Sequence, residues 1–209
     1  MSTDTLPETA ATPFVIADDA ADLLFREART AREFTDAEVT DEELAAVYQL
    51  IAWGPTAMNT VPLRVLAVRS TEARERLAAL MAEGNRQRVL DAPVTLVLAA
   101  DPAFHTHLPV LAPHMAGMAE ALEPAAAMRA QMARDNAFLQ AGYLIVGLRA
   151  AGFSAGPMGL ADPAGIDAAF FAETGWSSLM VVNVGRTEGT GTEFPRAARL
   201  TYSEASLTV

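Results

Sequence analysis

The sequence predicts a single domain of mixed helix and strand, and three observations carry that expectation. Residues 93–100 run from Pro93 to Ala100 as an unbroken apolar stretch between a proline and Asp101, the pattern of a central strand covered on both faces. Thr40-Asp41-Glu42-Glu43 reads as a capping box, and after it Leu44, Val47, Tyr48 and Ile51 fall on one helical face. Hydrophobic residues make up 51% of 209, enough to bury a substantial core.

The elements follow in order. Residues 1–14 are rich in Thr, Glu, Pro and Ala without periodicity and read as a flexible arm, with one domain over 15–209. Asp18 or Asp19 caps a helix through Phe25 and Arg29, and the capping box at Thr40 opens the next. Residues 61–69 are rich in Val and Leu and fit a strand, and Ser70 or Thr71 restarts a helix before the strand at 93–100. Residues 101–123 carry three prolines and all three histidines, an irregular composition that suits a lid or specificity insert. A helix resumes near Ala125 and, past a kink, residues 136–151 form an apolar helix ended by Gly152 at C′. A short extended piece at 153–158, a helix from Asp162 or Pro163 to Phe171 and a strand at 177–186 complete the core, and 194–209 form a C-terminal arm.

Charge and composition exclude several functions. Fifteen basic residues against 26 acidic ones leave a net charge of −11, which repels the phosphate backbone of nucleic acid and anionic membrane. The chain has no cysteine, so thiolate nucleophiles, iron–sulfur clusters and cysteine zinc sites are absent. All fifteen basic residues are arginine, which rules out Schiff-base chemistry and a Walker-type phosphate loop. The opening segment lacks the basic and apolar parts of a signal peptide, and the longest apolar stretch is too short for a bilayer span; a cytoplasmic protein is expected.

Five clusters could carry chemistry. Arg29, Thr30 and Arg32 sit at a helix end where two guanidiniums and a hydroxyl can converge on a phosphate, or can form a solvated face. Gly54-Pro55-Thr56-Ala57-Met58-Asn59 is a turn whose short polar side chains can approach a planar ring, or a plain helix-to-strand loop. Gly84-Asn85-Arg86 is weak alone. In Ala155-Gly156-Pro157-Met158-Gly159 the glycines let backbone amides approach a ligand, and Arg196 with Arg199 adds a basic pair near the C-terminus.

Taken in order, with Trp53-Gly54-Pro55-Thr56, Gly84-Asn85, Ala92-Pro93-Val94-Thr95, Leu108-Pro109, Pro113-His114 and Gly156-Pro157-Met158, these residues resemble the FMN-dependent nitroreductase family over about residues 20–205. The likeness is nearest to its malonic semialdehyde and haloacid-type reductases. The resemblance implies an α+β, three-layer sandwich, a central mixed sheet flanked by helices, in an intertwined homodimer. It implies that Arg29, Thr30 and Arg32 hold the FMN phosphate and the pyrimidine side of the ring, joined by Arg196 and Arg199. Pro55, Thr56 and Asn59 would come from the other subunit, Asn85 would meet the pyrimidine edge, and Pro157, Met158 and Gly159 would lie beside the reactive flavin nitrogen. The chain departs from the wider pattern at Ala28, Val61 and Gly159-Leu160, which shifts the expected acceptor away from a broad nitroaromatic range.

The implied activity is a two-step hydride transfer, from NADH or NADPH to FMN and then to a small electron-poor acceptor. A 3-oxo acid such as malonic semialdehyde is the first choice, a quinone or nitro compound the alternative, and a non-catalytic flavin-binding protein the reading from another class. No protein acid, base or nucleophile is indispensable to such chemistry. His114 is a candidate substrate contact, whereas His105, His107 and His114 lack partners at ligand spacing, so no metal is expected.

Overall fold

The computed structural model describes residues 14–209; the arm expected at 1–14 lies outside the described residues except for Phe14. Nine α-helices, one π-helical turn, two short 3-10 helices (Ala57–Asn59 and Phe104–His107) and four strands are formed within that range. Helix α1 (Asp18–Ala21) continues into a π-helical turn (Asp22–Arg26). Helix α2 (Asp41–Ile51) begins at the expected box, where Thr40 accepts from the Glu43 N–H and the Glu43 carboxylate accepts from the Thr40 N–H. Strand β1 (Leu63–Val68), helices α3 (Thr71–Ala79) and α4 (Glu83–Asp91) and strand β2 (Val94–Ala100) follow. Next come α5 (Leu108–Leu111), α6 (Met118–Leu122), α7 (Ala126–Ala150), β3 (Ser154–Met158), α8 (Pro163–Phe170), β4 (Ser177–Gly185) and α9 (Tyr202–Ala205).

The sheet order is β1-β2-β4-β3, with every neighbouring pair antiparallel. The expected mixed character is reduced to one parallel bridge, Thr30 to Ala155, which lays the segment after α1 along the free edge of β3. Strand β2 is buried at all seven positions and divides its side chains between the two layers. Leu96 and Leu98 face a core with α2 and α7, and Val97 and Ala99 face a second core with Leu77 of α3, Val89 of α4 and Ile166 of α8. This is the three-layer sandwich.

Two elements differ in detail from their expectation. Helix α7 runs 25 residues without a break, its interior holding no proline that would remove a backbone donor. It ends at Gly152 (φ +80°), where the Phe153 N–H bonds the Leu148 carbonyl and the Gly152 N–H bonds that of Arg149. Helix α7 is buried along a stripe through Ala133, Ala137, Gln140, Ala141, Leu144 and Leu148, while Phe138, Leu139 and Tyr143 remain exposed. Residues 101–123 are three short helical pieces anchored by Phe104, Leu108 and Leu122 in the main core. No helix among the described residues is long and apolar enough to cross a membrane.

Candidate functional site

The outer edge of β3 gathers most of the predicted residues. The Ala31 N–H bonds the Ala155 carbonyl at 3.0 Å, so Arg29, Thr30 and Arg32 run beside the strand that leads to Pro157. The start of the C-terminal arm closes on the same segment. Arg29 donates to the Phe194 carbonyl, Arg196 donates to the Ala28 carbonyl at 3.2 Å, and the Arg32 guanidinium stacks 4.1 Å from the centre of the Phe194 ring.

Helix α4 supplies the other wall. Asn85 Oδ1 accepts from Arg88 Nη1 at 3.1 Å, and Arg88 Nη2 donates to the Ala31 carbonyl at 3.2 Å. Arg88 is the residue that sequence reasoning missed; its place one turn after Asn85 was the available signal. Asn183 of β4 sets the height of this helix. It is fully buried, takes a bond from Thr95 at 2.7 Å through Oδ1, and donates through Nδ2 to the Arg88 carbonyl at 2.7 Å.

Electrostatics favour an anion here. Burial draws the Arg88 guanidinium below its usual value, and the nearby Arg32 charge adds to the effect. Arg88 Nε is buried without a hydrogen-bond partner among the described residues. Among those residues, none of Arg29, Arg32, Arg88 and Arg196 has a carboxylate within ion-pair distance, although the chain is strongly acidic. Four guanidiniums without an ion-pair partner among the described residues, beside small backbone groups, could hold the phosphate and the pyrimidine edge of FMN.

The remaining predicted residues lie elsewhere. Among the described residues Arg199 donates only to the carbonyls of Ala197 and Ala198, within its own exposed segment. The Met158 side chain is buried in the second core, so only its backbone is available at the edge, and Gly159 follows it exposed. Pro55, Thr56 and Asn59 precede β1, on the opposite edge of the sheet, three inter-strand steps or roughly 14 Å away. The chain by itself therefore does not join them to the arginine cluster. His114 is exposed on the turn before α6. His105 is buried and accounted for, since it contacts Glu123 at 2.5 Å and Arg129 at 3.1 Å, which holds the Glu123 carboxyl below its ordinary range. No cluster among the described residues could hold a metal ion.

The architecture is an α+β sandwich with a cluster of arginines at one sheet edge. The nitroreductase family profile matches residues 25–186, and the chain belongs to the nitroreductase family. A protein of Streptomyces griseus, provisionally named an NADH dehydrogenase/NAD(P)H nitroreductase, is 50% identical over 91% of this chain and 96% of its own length. One of the same name from Leptothrix cholodnii is 46% identical over 89% and 94%. Among solved structures, a provisionally named nitroreductase in complex with FMN from Exiguobacterium sibiricum superposes with a TM-score of 0.75 at 21% identity, covering 92% of this chain and 98% of that one.

Proposed function

We propose that the protein is a cytoplasmic FMN-dependent NAD(P)H oxidoreductase that passes a hydride to a small electron-poor acceptor. The observation that carries this reading is the set of four guanidiniums at the β3 edge without carboxylate partners among the described residues. The names of the relatives, which refer to NADH dehydrogenase and NAD(P)H nitroreductase activity, support the nicotinamide donor.

FMN, when bound, supplies reversible hydride transfer between donor and acceptor. Arg29, Thr30 and Arg196 hold its phosphate by charge-assisted hydrogen bonds. Arg32, Asn85 and Arg88 aim positive charge and donors at the pyrimidine edge, where charge builds on reduction. The Pro157–Gly159 backbone lines the reacting side. Pro55, Thr56 and Asn59 complete the site from a second copy, in a homodimer that also covers the open apolar residues Phe138, Leu139 and Tyr143 of α7.

The acceptor we assign first is a 3-oxo acid, with malonic semialdehyde reduced to 3-hydroxypropionate and His114 meeting its carboxylate. A nitro compound is the second reading, favoured by the relatives' names. The test is anaerobic titration of the purified protein, loaded with FMN, against NADH and NADPH. Bleaching of the visible flavin band, and its return on adding a semialdehyde, is the expected result. A band that neither nicotinamide bleaches would leave only flavin binding, and return with nitro compounds but not with 3-oxo acids would replace the first acceptor by the second.

A further inference from the structure

Resting on the reading of the chain as a flavin oxidoreductase, we propose that Asn136 of α7 is a positioning residue. It holds the loop 55–61 in the strained form in which Thr56 and Asn59 are offered to a ligand at the β1 edge.

The strain is local and visible. Met58, Asn59 and Val61 have φ of 54°, 52° and 41°, in the left-handed region that side chains other than Gly and Asn avoid, and a β-branched valine pays most for it. Such a backbone persists only where its surroundings over-determine it. Apolar burial supplies only part of this, through Met58, which packs partly against the main core, and the buried Thr60, whereas Pro55, Ala57 and Asn59 are exposed.

Hydrogen bonds to α7 hold the exposed part of the loop. Asn136 Oδ1 accepts from the Ala57 N–H at 2.7 Å, and one helical turn on, Gln140 Oε1 accepts from the Leu63 N–H at 3.0 Å. Two amides at i and i+4 thus grip both ends of the loop from one helix face. The Asn136 amide is itself oriented, since its Nδ2 donates to the Met132 carbonyl at 2.9 Å and leaves Oδ1 for the loop. Inside the loop Thr56 Oγ1 accepts from the Val61 N–H at 3.2 Å. Asn59 Nδ2 is spent on the Leu111 carbonyl at 2.8 Å, while its Oδ1 has no partner among the described residues and is the acceptor on offer to a ligand N–H or O–H.

Asn136→Ala and Asn136→Asp in the full chain test this, the aspartate retaining an acceptor for the Ala57 N–H. In the protein without flavin, hydrogen exchange across residues 57–63 should rise about tenfold in the alanine variant and fall back in the aspartate variant, with β2 and β4 unchanged. The FMN dissociation constant should rise about three- to tenfold for alanine and stay within about twofold of the parent for aspartate. Asn136→Ser serves if the alanine variant does not fold. Unchanged loop exchange, or a rise spread through the sheet that aspartate does not reverse, overturns the bracing role. Looser exchange with unchanged FMN affinity overturns the claim that the braced form is the binding form. A parent protein that takes up no FMN, with the loop response intact, instead refutes the flavin reading and leaves the brace standing.

Discussion

Gly156 lies against the Ala31 carbonyl so closely that a Cβ on it would stand 2.5 Å from that oxygen. The contact is backbone against backbone and cannot be relieved by a rotamer change. Gly156→Ala should therefore push the 29–32 segment off β3, break the Ala31-to-Ala155 bond and scatter the arginines. The expected result is loss of FMN retention on gel filtration with the sheet's far-ultraviolet signature retained. A yellow variant would show that the segment is not held by this contact.

Arg88 and Arg29 should each matter to flavin binding. Replacing either by alanine removes a charge-assisted contact of about 1.5 to 3 kcal/mol, a rise in dissociation constant of roughly ten- to hundredfold. Arg199→Ala should do less in a protomer whose Arg199 contacts only its own neighbours. Fluorescence quenching of FMN on binding measures all three, and equal losses would mean that Arg199 acts through the partner subunit.

Glu43 should make stability fall on the acid side. The Thr40 N–H first, and the Arg186 guanidinium second, hold its carboxyl below the ordinary range. A folded value below the unfolded one gives stability that is present above the unfolded value, near about pH 4.5, and lost as pH falls through the folded value. Glu43→Gln keeps an N3 amide for the cap but cannot ionise. The gap in urea midpoint between parent and variant should be wide at neutral pH and narrow below about pH 4. A gap independent of pH would assign the effect to packing.

Gly147 of α7 lies directly against Ile51 of α2. A Cβ there would sit 2.2 Å from Ile51 Cγ2, so Gly147→Ala should cost about 1 to 3 kcal/mol by overpacking, despite the better helix propensity of alanine. Ile51→Leu moves the branch outward and should recover part of the loss. Urea unfolding checks both, and a stabilised alanine variant would show that the helices move apart freely.

Two helix ends were legible in the sequence, because a cap joins residues three to five apart: Thr40 with Glu43, and Gly152 with the last turn of α7; the first helix instead has Ala17 at its N-cap, where Asp18 or Asp19 was expected, and ends at Arg26. The apolar run of β2 was legible for the same reason, as were Arg29 and Arg32, which stand together in the chain. Arg88 and Asn183 were not, since their bond spans 95 residues and exists only because β4 was placed beside β2. The irregular composition of 101–123 likewise hid the anchoring of Phe104, Leu108 and Leu122 in the main core, which rests on distant elements. The sequence by itself determined the four strands, the capped helices α2, α3 and α8, and the basic residues that could meet a phosphate, because periodicity and capping are local, whereas the split between α3 and α4 was not legible. Only the tertiary structure decided which arginines share an edge, that Asn59 stands at the opposite edge, and that α7 keeps an apolar face open, because sheet order and helix packing are set by long-range burial that no local pattern records.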